Sequence, residues 1–71
     1  MNRQTFSVVG MTCDHCVVAV TQEVSRVPGV RDVAIELVPG AASTVTITSD
    51  LPVSEDDVRA AIDEAGYDLD G

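Results

Sequence analysis

The sequence predicts an α+β domain in which two helices cover one face of a four-stranded antiparallel sheet. Two segments carry apolar residues every three to four positions, the period of an amphipathic helix, and the segments around them alternate apolar and polar residues, as strands do. Their order along the chain is β-α-β-β-α-β. A chain of 71 residues, 45% of them hydrophobic, has room for one packed core, so we assign residues 1–71 to a single domain.

The first part of the chain predicts a strand followed by a helix. Residues 5–9 form the strand, with Phe6 and Val8 on one face. After a short loop, residues 14–26 form the helix, which ends before Pro28 because proline cannot continue it. The apolar stripe of this helix consists of Val17, Val20, Val24 and Val27.

The middle of the chain predicts a β-hairpin. Residues 30–37 and 43–48 both alternate apolar and polar side chains, and residues 38–42 form the turn between them. So short a connection makes the two strands antiparallel. The side chains expected on the inward face are Val33, Ile35, Leu37, Val45 and Ile47.

The second helix has the clearest start signal in the chain. Ser54 is a favoured N-cap, acidic residues 55–57 suit the positive end of the helix dipole, and Val53 can pack against the first apolar residue of the helix. Gly66 is the expected residue after the helix, and residues 67–69 add a short last strand. The resulting order is the ferredoxin-like arrangement, which hosts many functions, so the function must be argued from the site.

The charge and hydropathy of the chain exclude several classes of protein. Four arginines against twelve Asp and Glu residues give a net charge of −8, which excludes a nucleic-acid binder that relies on neutralising phosphates. No apolar run approaches the ~18–20 residues of a membrane span. The first five residues lack the apolar stretch of a signal peptide. We therefore expect a cytoplasmic protein without membrane insertion.

The residues that carry chemistry form the segment Gly-Met-Thr-Cys-Asp-His-Cys at 10–16, between the first strand and the first helix. Cys13 is expected in the loop and Cys16 in the first helical turn, where unpaired N–H groups and the helix dipole favour thiolate over thiol. Two thiolates suit a soft metal ion. A site with two ligands fits Cu(I) or Hg(II) better than Zn(II), which takes four.

These residues resemble the heavy-metal-associated domain family, which includes cytosolic copper chaperones, metal-binding domains of copper-transporting P-type ATPases and mercury-binding proteins. The resemblance rests on Gly-Met-Thr-Cys-x-x-Cys at 10–16, Pro-Gly-Val at 28–30 and Ala-Gly-Tyr at 65–67, and it extends over residues 6–69. The segment after residue 67 is shorter than the family usually shows.

The resemblance implies a cytosolic chaperone that binds one Cu(I) through Cys13 and Cys16. It further implies transfer of the ion by thiolate exchange to a copper-transporting P-type ATPase or its metal-binding domain. It also implies that the methionine of the motif is buried beneath the metal loop and that the tyrosine lies near the metal. The residues expected beside the site are Met11, Thr12, His15 and Tyr67.

Other interpretations stay open at this point. The domain could belong to a copper-transporting ATPase, could bind Hg(II), Zn(II) or Cd(II), or could share copper between two copies as a homodimer. A small dithiol redox protein is the alternative from another class, and it would reduce disulfides without any metal. We expect a binding protein rather than an enzyme, and we expect His15 to be exposed rather than a ligand.

The excess of acidic residues predicts a basic surface on the partner. Charge complementarity of this kind raises the rate of association more than the affinity. The residues that could contribute are Asp32, Glu36, Asp63, Glu64, Asp68 and Asp70.

Overall fold

The structure, a computed structural model, describes residues 1–38 and 40–70. Its elements follow the predicted order and are β1 (Asn2–Val9), α1 (Asp14–Ser25), β2 (Val30–Glu36), β3 (Ser43–Ser49), α2 (Glu55–Glu64) and β4 (Asp68–Leu69). The strands form one antiparallel sheet in the order β2-β3-β1-β4. The predicted α+β class and the ferredoxin-like βαββαβ topology are confirmed. The predicted turn at 38–42 and the predicted domain 1–71 include Pro39 and Gly71, which lie outside the described residues.

The core lies between the two helices and the inward face of the sheet. Burial of a valine or isoleucine side chain contributes about 1.5–3 kcal/mol, so a small set of residues supplies most of the stability. The opposite face of β1 carries exposed polar side chains such as Thr5 and Ser7, as the alternation predicts. The fully buried aliphatic side chains are Val8, Val20, Val24, Val45, Ile47, Val58 and Ile62.

The buried stripe of α1 differs from the prediction at its first turn. Cys16 is buried there, and the buried stripe continues through Val20 and Val24 at intervals of four residues. Val17, which was expected in the stripe, is only half-buried. The helix ends at Ser25, with Arg26 as its C-cap. Neither described helix is long and apolar enough to cross a membrane.

Strand pairing extends the sheet beyond its apolar pattern. β1 begins at Asn2 rather than at residue 5, because Asn2 pairs with Ser49 and Arg3 pairs with Thr48 of β3. These polar residues show no alternation that would predict a strand, and the neighbouring strand supplies their structure. β2 ends one residue earlier than predicted, at Glu36.

Two sets of hydrogen bonds fix the start of α2, and the sequence predicted one of them. The Ser54 hydroxyl accepts a hydrogen bond of 3.2 Å from the Asp56 N–H, which confirms the predicted N-cap. The Gln4 side chain makes the second set. Its Oε1 accepts from the Val53 N–H at 2.8 Å, and its Nε2 donates to the Val53 carbonyl at 3.1 Å. This pair of bonds ties the loop before α2 to β1.

Candidate metal centre

The loop between β1 and α1 places both cysteines at one helix end. Cys13 is the N-cap of α1, with an extended backbone at φ −154°. Its carbonyl accepts from the N–H groups of Cys16, at 3.1 Å, and Val17, at 3.4 Å, which starts the helix. The Cys13 side chain makes no capping bond, so its sulfur is available for other partners.

The two sulfurs are close enough to share one ion. Sγ of Cys13 lies 3.5 Å from Sγ of Cys16, and the two are free thiols. With metal–sulfur bonds of about 2.3 Å, a single soft ion can bridge this distance. The thiols differ in access, because Cys13 is exposed whereas Cys16 is only 7% exposed. The site therefore has one thiol that faces the solvent and one that is anchored in the core.

Cys16 is prepared to act as a thiolate. Its pKa is lowered from 9.0 to about 6, chiefly by a hydrogen bond with the Tyr67 side chain and then by one with the Thr12 backbone, while burial acts in the opposite direction. The pKa of Tyr67 is raised, first by the same hydrogen bond to Cys16 and then by burial. A thiolate is the form that binds a metal, so the surroundings favour binding at neutral pH.

The C-terminus of α2 carries Tyr67 to the cysteines. The Tyr67 N–H donates to the Ile62 carbonyl at 3.0 Å, and the Gly66 N–H donates to the Asp63 carbonyl at 2.9 Å. Together these bonds form a Schellman motif, which ends the helix and sets the direction of the chain after it. The tyrosine therefore has a fixed backbone position beside the metal loop.

Met11 lies beneath the loop, as the resemblance implies. It is 1% exposed and belongs to the same buried cluster as Cys16 and Val20. A flexible thioether fills irregular core space well, and it can stabilise the loop without contacting the ion. The burial of Met11 thus connects the metal loop to the hydrophobic core.

The remaining predicted residues are exposed. The side chains of Thr12 and His15 both face the solvent. Among residues 1–38 and 40–70, no group of three His, Cys, Asp or Glu side chains is arranged to hold a metal ion. The candidate site therefore consists of two thiols, to which Thr12 contributes through its backbone rather than its side chain.

Two features of this centre were not predicted from the sequence. The first is the burial of Cys16. The sequence did carry a signal for it, because Cys16 lies four residues before Val20 and so extends the apolar stripe by one turn. The contribution of the Thr12 backbone had no sequence signal, because a backbone group carries no residue identity. Both features act on Cys16, the thiol that the structure anchors.

A pH titration tests the role of Tyr67. The lowered pKa of Cys16 stabilises the folded state above the unfolded pKa near 9.0, and this contribution is lost as the pH falls through about 6. Tyr67→Phe removes the largest cause of the shift, so we expect the pKa of Cys16 to rise towards 9.0. The ultraviolet absorbance of the thiolate against pH measures it, with Cys16→Ser to identify the transition. An unchanged midpoint would contradict the role of Tyr67.

The chain is similar in sequence and in fold to known copper proteins. Copper chaperone CopZ of Bacillus subtilis (strain 168) is 39% identical over 69 residues, which cover 97% of each chain. Copper-transporting ATPase 1 of Rhizobium meliloti (strain 1021) is 38% identical over 66 residues, 93% of this chain but 8% of that protein. A solved structure described as "CopZ metallochaperone" superposes with a TM-score of 0.82 at 29% identity, covering 96% of this chain and 98% of the other.

The family assignment follows from the extent of the match. The profile of the heavy-metal-associated domain matches residues 5–68, which include both cysteines and Tyr67. The matched region also contains both helices, β2, β3 and the second half of β1. This chain belongs to the heavy-metal-associated domain family.

Proposed function

We propose that this protein binds one Cu(I) ion through Cys13 and Cys16 and passes it to a partner metal-binding domain, as a cytoplasmic copper chaperone without enzymatic activity. The observation that carries the proposal is the pair of thiols 3.5 Å apart at a helix N-terminus, one exposed and one buried. Relatives named copper chaperones match this chain over nearly their whole length, which supports the function. Copper ions prefer soft thiolate ligands in the Cu(I) state.

The unequal access of the two thiols sets the order of the exchange. A thiolate of the partner approaches the ion from the side of Cys13, because that sulfur is exposed and Cys16 is not. A new copper–sulfur bond forms first and gives a three-coordinate intermediate, as in thiol exchange at a disulfide. The bond to Cys13 then breaks, and the bond to Cys16 follows when a second partner thiolate binds. Copper remains Cu(I) throughout, so the transfer needs no oxidant or reductant.

The proposed partner is the metal-binding domain of a copper-transporting P-type ATPase. The similarity to Copper-transporting ATPase 1 is confined to 8% of that protein, a segment that covers 93% of this chain. Two related domains can present their metal loops to each other. A second copy of this chain could also share the ion, although a net charge of −8 on each copy opposes that pairing.

An anaerobic competition titration tests the proposal. Reduced protein is titrated with Cu(I) against a chromophoric chelator, and a parallel titration uses Zn(II). We expect one Cu(I) per chain, bound far more tightly than Zn(II), because two thiolates leave zinc with an incomplete ligand set. Failure of the fully reduced protein to compete for Cu(I) would overturn the proposal. Turnover of a disulfide substrate without metal would then support the dithiol redox alternative.

His15 provides a test of the two-thiol site. Its side chain is exposed, and we expect His15→Ala to change the Cu(I) affinity less than about threefold, below the ~10–100-fold effect of removing a partner of a metal ligand. The same competition titration at pH 7 measures the affinity. A loss of two orders of magnitude would make His15 a ligand and would contradict the two-thiol site.

Three acidic residues line cavities that adjoin either the metal loop or Tyr67, and they predict a salt-dependent transfer. Asp70 lines a cavity with Gly10 and Thr12, while Asp63 and Asp68 line another next to Tyr67. Salt shortens the screening length from about 10 Å at 0.1 M to 3 Å at 1 M, so we expect transfer to a basic partner domain to slow tenfold or more. Stopped-flow measurement of the transfer rate detects this change.

Two double variants, which remove the same number of charges, distinguish the effect of charges near the site on the transfer rate from the effect of the net charge. Asp68→Asn with Asp70→Asn removes one charge beside Tyr67 and one beside the loop. Asp32→Asn with Glu36→Gln removes two charges from β2, an edge strand of the sheet. We expect the first pair to slow transfer more than the second. Equal effects, or a rate independent of salt, would contradict steering by the residues beside the loop.

A further inference from the structure

β4 is an edge strand of the sheet, paired with β1 on one side only. The Asp70 N–H donates to the Ser7 carbonyl of β1 at 2.8 Å. Because the bonds of an antiparallel pair involve every second residue, Leu69 directs its N–H and its carbonyl away from β1. Within residues 1–38 and 40–70, neither of these two groups has a hydrogen-bond partner. An unpaired strand edge of this kind is able to accept a further strand.

A cavity of about 360 Å³ lies along this edge, between β4 and α2, and we call it the edge groove. Its wall on α2 includes Asp56, Arg59 and Asp63, which follow at intervals of three and four residues and so share one face of the helix. Residues 67–69 of the chain form the other wall. The edge groove therefore combines the unpaired backbone of a strand with one face of a helix.

The edge groove is acidic. Asp56 and Asp63 on α2 and Asp68 on β4 bring three exposed carboxylates to it. None of the three is in an ion pair within the part of the chain that the structure describes. Arg59 also lines the groove, but it is paired with Glu55 at 3.3 Å, so it offsets only part of this charge. The groove thus suits an occupant that carries positive charge.

We propose that the edge groove binds an extended basic segment of a partner protein, which adds a strand to the free side of β4 and directs lysine or arginine side chains towards the aspartates. Strand addition takes its affinity from backbone hydrogen bonds and its specificity from alternate side chains. Charge argues against a second copy of this chain as the occupant, since each copy carries a net charge of −8. The inference goes beyond the proposed function, because it requires no copper.

Amide hydrogen exchange reports directly on strand addition. The Leu69 N–H should exchange rapidly in the free protein and slowly when an added strand pairs with it. The probe is a short synthetic peptide of alternating lysine and threonine, added to the reduced, metal-free protein. The same peptide with N-methylated backbone amides is the control. It keeps the positive charge, but its methyl groups prevent pairing with a strand.

We expect the lysine peptide to slow exchange at Leu69 about tenfold, and the N-methylated peptide to leave this exchange unchanged. Asp56→Asn with Asp63→Asn should weaken binding of the lysine peptide about fivefold, because exposed ion pairs contribute little each. Asp32→Asn with Glu36→Gln removes the same charge from β2, at the opposite edge of the sheet. This second pair should weaken binding less than about twofold.

Unchanged exchange at Leu69, or equal slowing by the two peptides, would overturn the inference. Slowing at Arg3 or Thr5 instead would also overturn it. These two residues direct their N–H groups to the part of β1 that β4 leaves uncovered, so the added strand would then lie against β1. Slowing at Leu69 that grows with protein concentration, without peptide, would identify a second copy as the occupant and contradict a basic partner. A protein that binds no Cu(I) would contradict only the proposed function.

Discussion

Cys13→Ser and Cys16→Ser are each expected to abolish tight Cu(I) binding. Each substitution exchanges one of the two proposed soft ligands for a hydroxyl, which is a poor ligand for a soft ion. The loss should exceed the ~10–100-fold that removal of a neighbour of a ligand costs. Competition with a chromophoric chelator under anaerobic conditions measures it, and the circular dichroism of each variant checks the fold.

The two cysteine variants should differ in their effect on the protein itself. Cys13 is exposed and is the N-cap of α1, where serine is favoured, so serine at this position should not lower the stability. Cys16 is 7% exposed and packs in the core cluster, so serine there buries a hydroxyl in place of a thiol and should lower the stability. Full Cu(I) affinity in a folded Cys13→Ser protein would overturn the two-thiol site.

Met11→Ala is expected to be the most destabilising substitution near the site. Met11 is 1% exposed, and it is the largest of the fully buried side chains. Replacing a buried methionine with alanine costs about 2–5 kcal/mol through lost burial and the remaining cavity. This is a large part of the ~5–15 kcal/mol that stabilises a typical domain. Urea unfolding of the metal-free protein measures the change.

Two further variants serve as controls for Met11→Ala. Val18→Ala on α1 is the control, because Val18 is 53% exposed and an exposed change should stay within about 0.5 kcal/mol. Met11→Leu conserves volume and should cost less than about 1.5 kcal/mol. Because leucine has no sulfur, wild-type Cu(I) affinity in Met11→Leu would establish support rather than ligation. A large loss of affinity in this folded variant would make Met11 a ligand.

The order of the elements and the identity of the two thiols were predictable because both depend on local sequence. The Ser54 cap and the acidic first turn specify the start of α2, and the alternation in β3 specifies its inward face. Placing Cys13 in the loop and Cys16 in the first helical turn needed only the position of the strand and the helix around them. The Asn2–Gln4 part of β1 was missed, because its structure comes from pairing with β3 rather than from its own residues.

The sequence by itself determined the family, the fold and the two thiols that we propose as ligands, since these follow from short-range patterns of residues. Only the tertiary structure decided that Cys13 stays exposed, and that the Tyr67 side chain and the Thr12 backbone together lower the pKa of the Cys16 thiol. These relations join the start of α1 to the end of α2, which are distant in the chain and meet through pairing of β1 with β4. Contacts between distant segments depend on how the whole core packs, and no local pattern of residues encodes them.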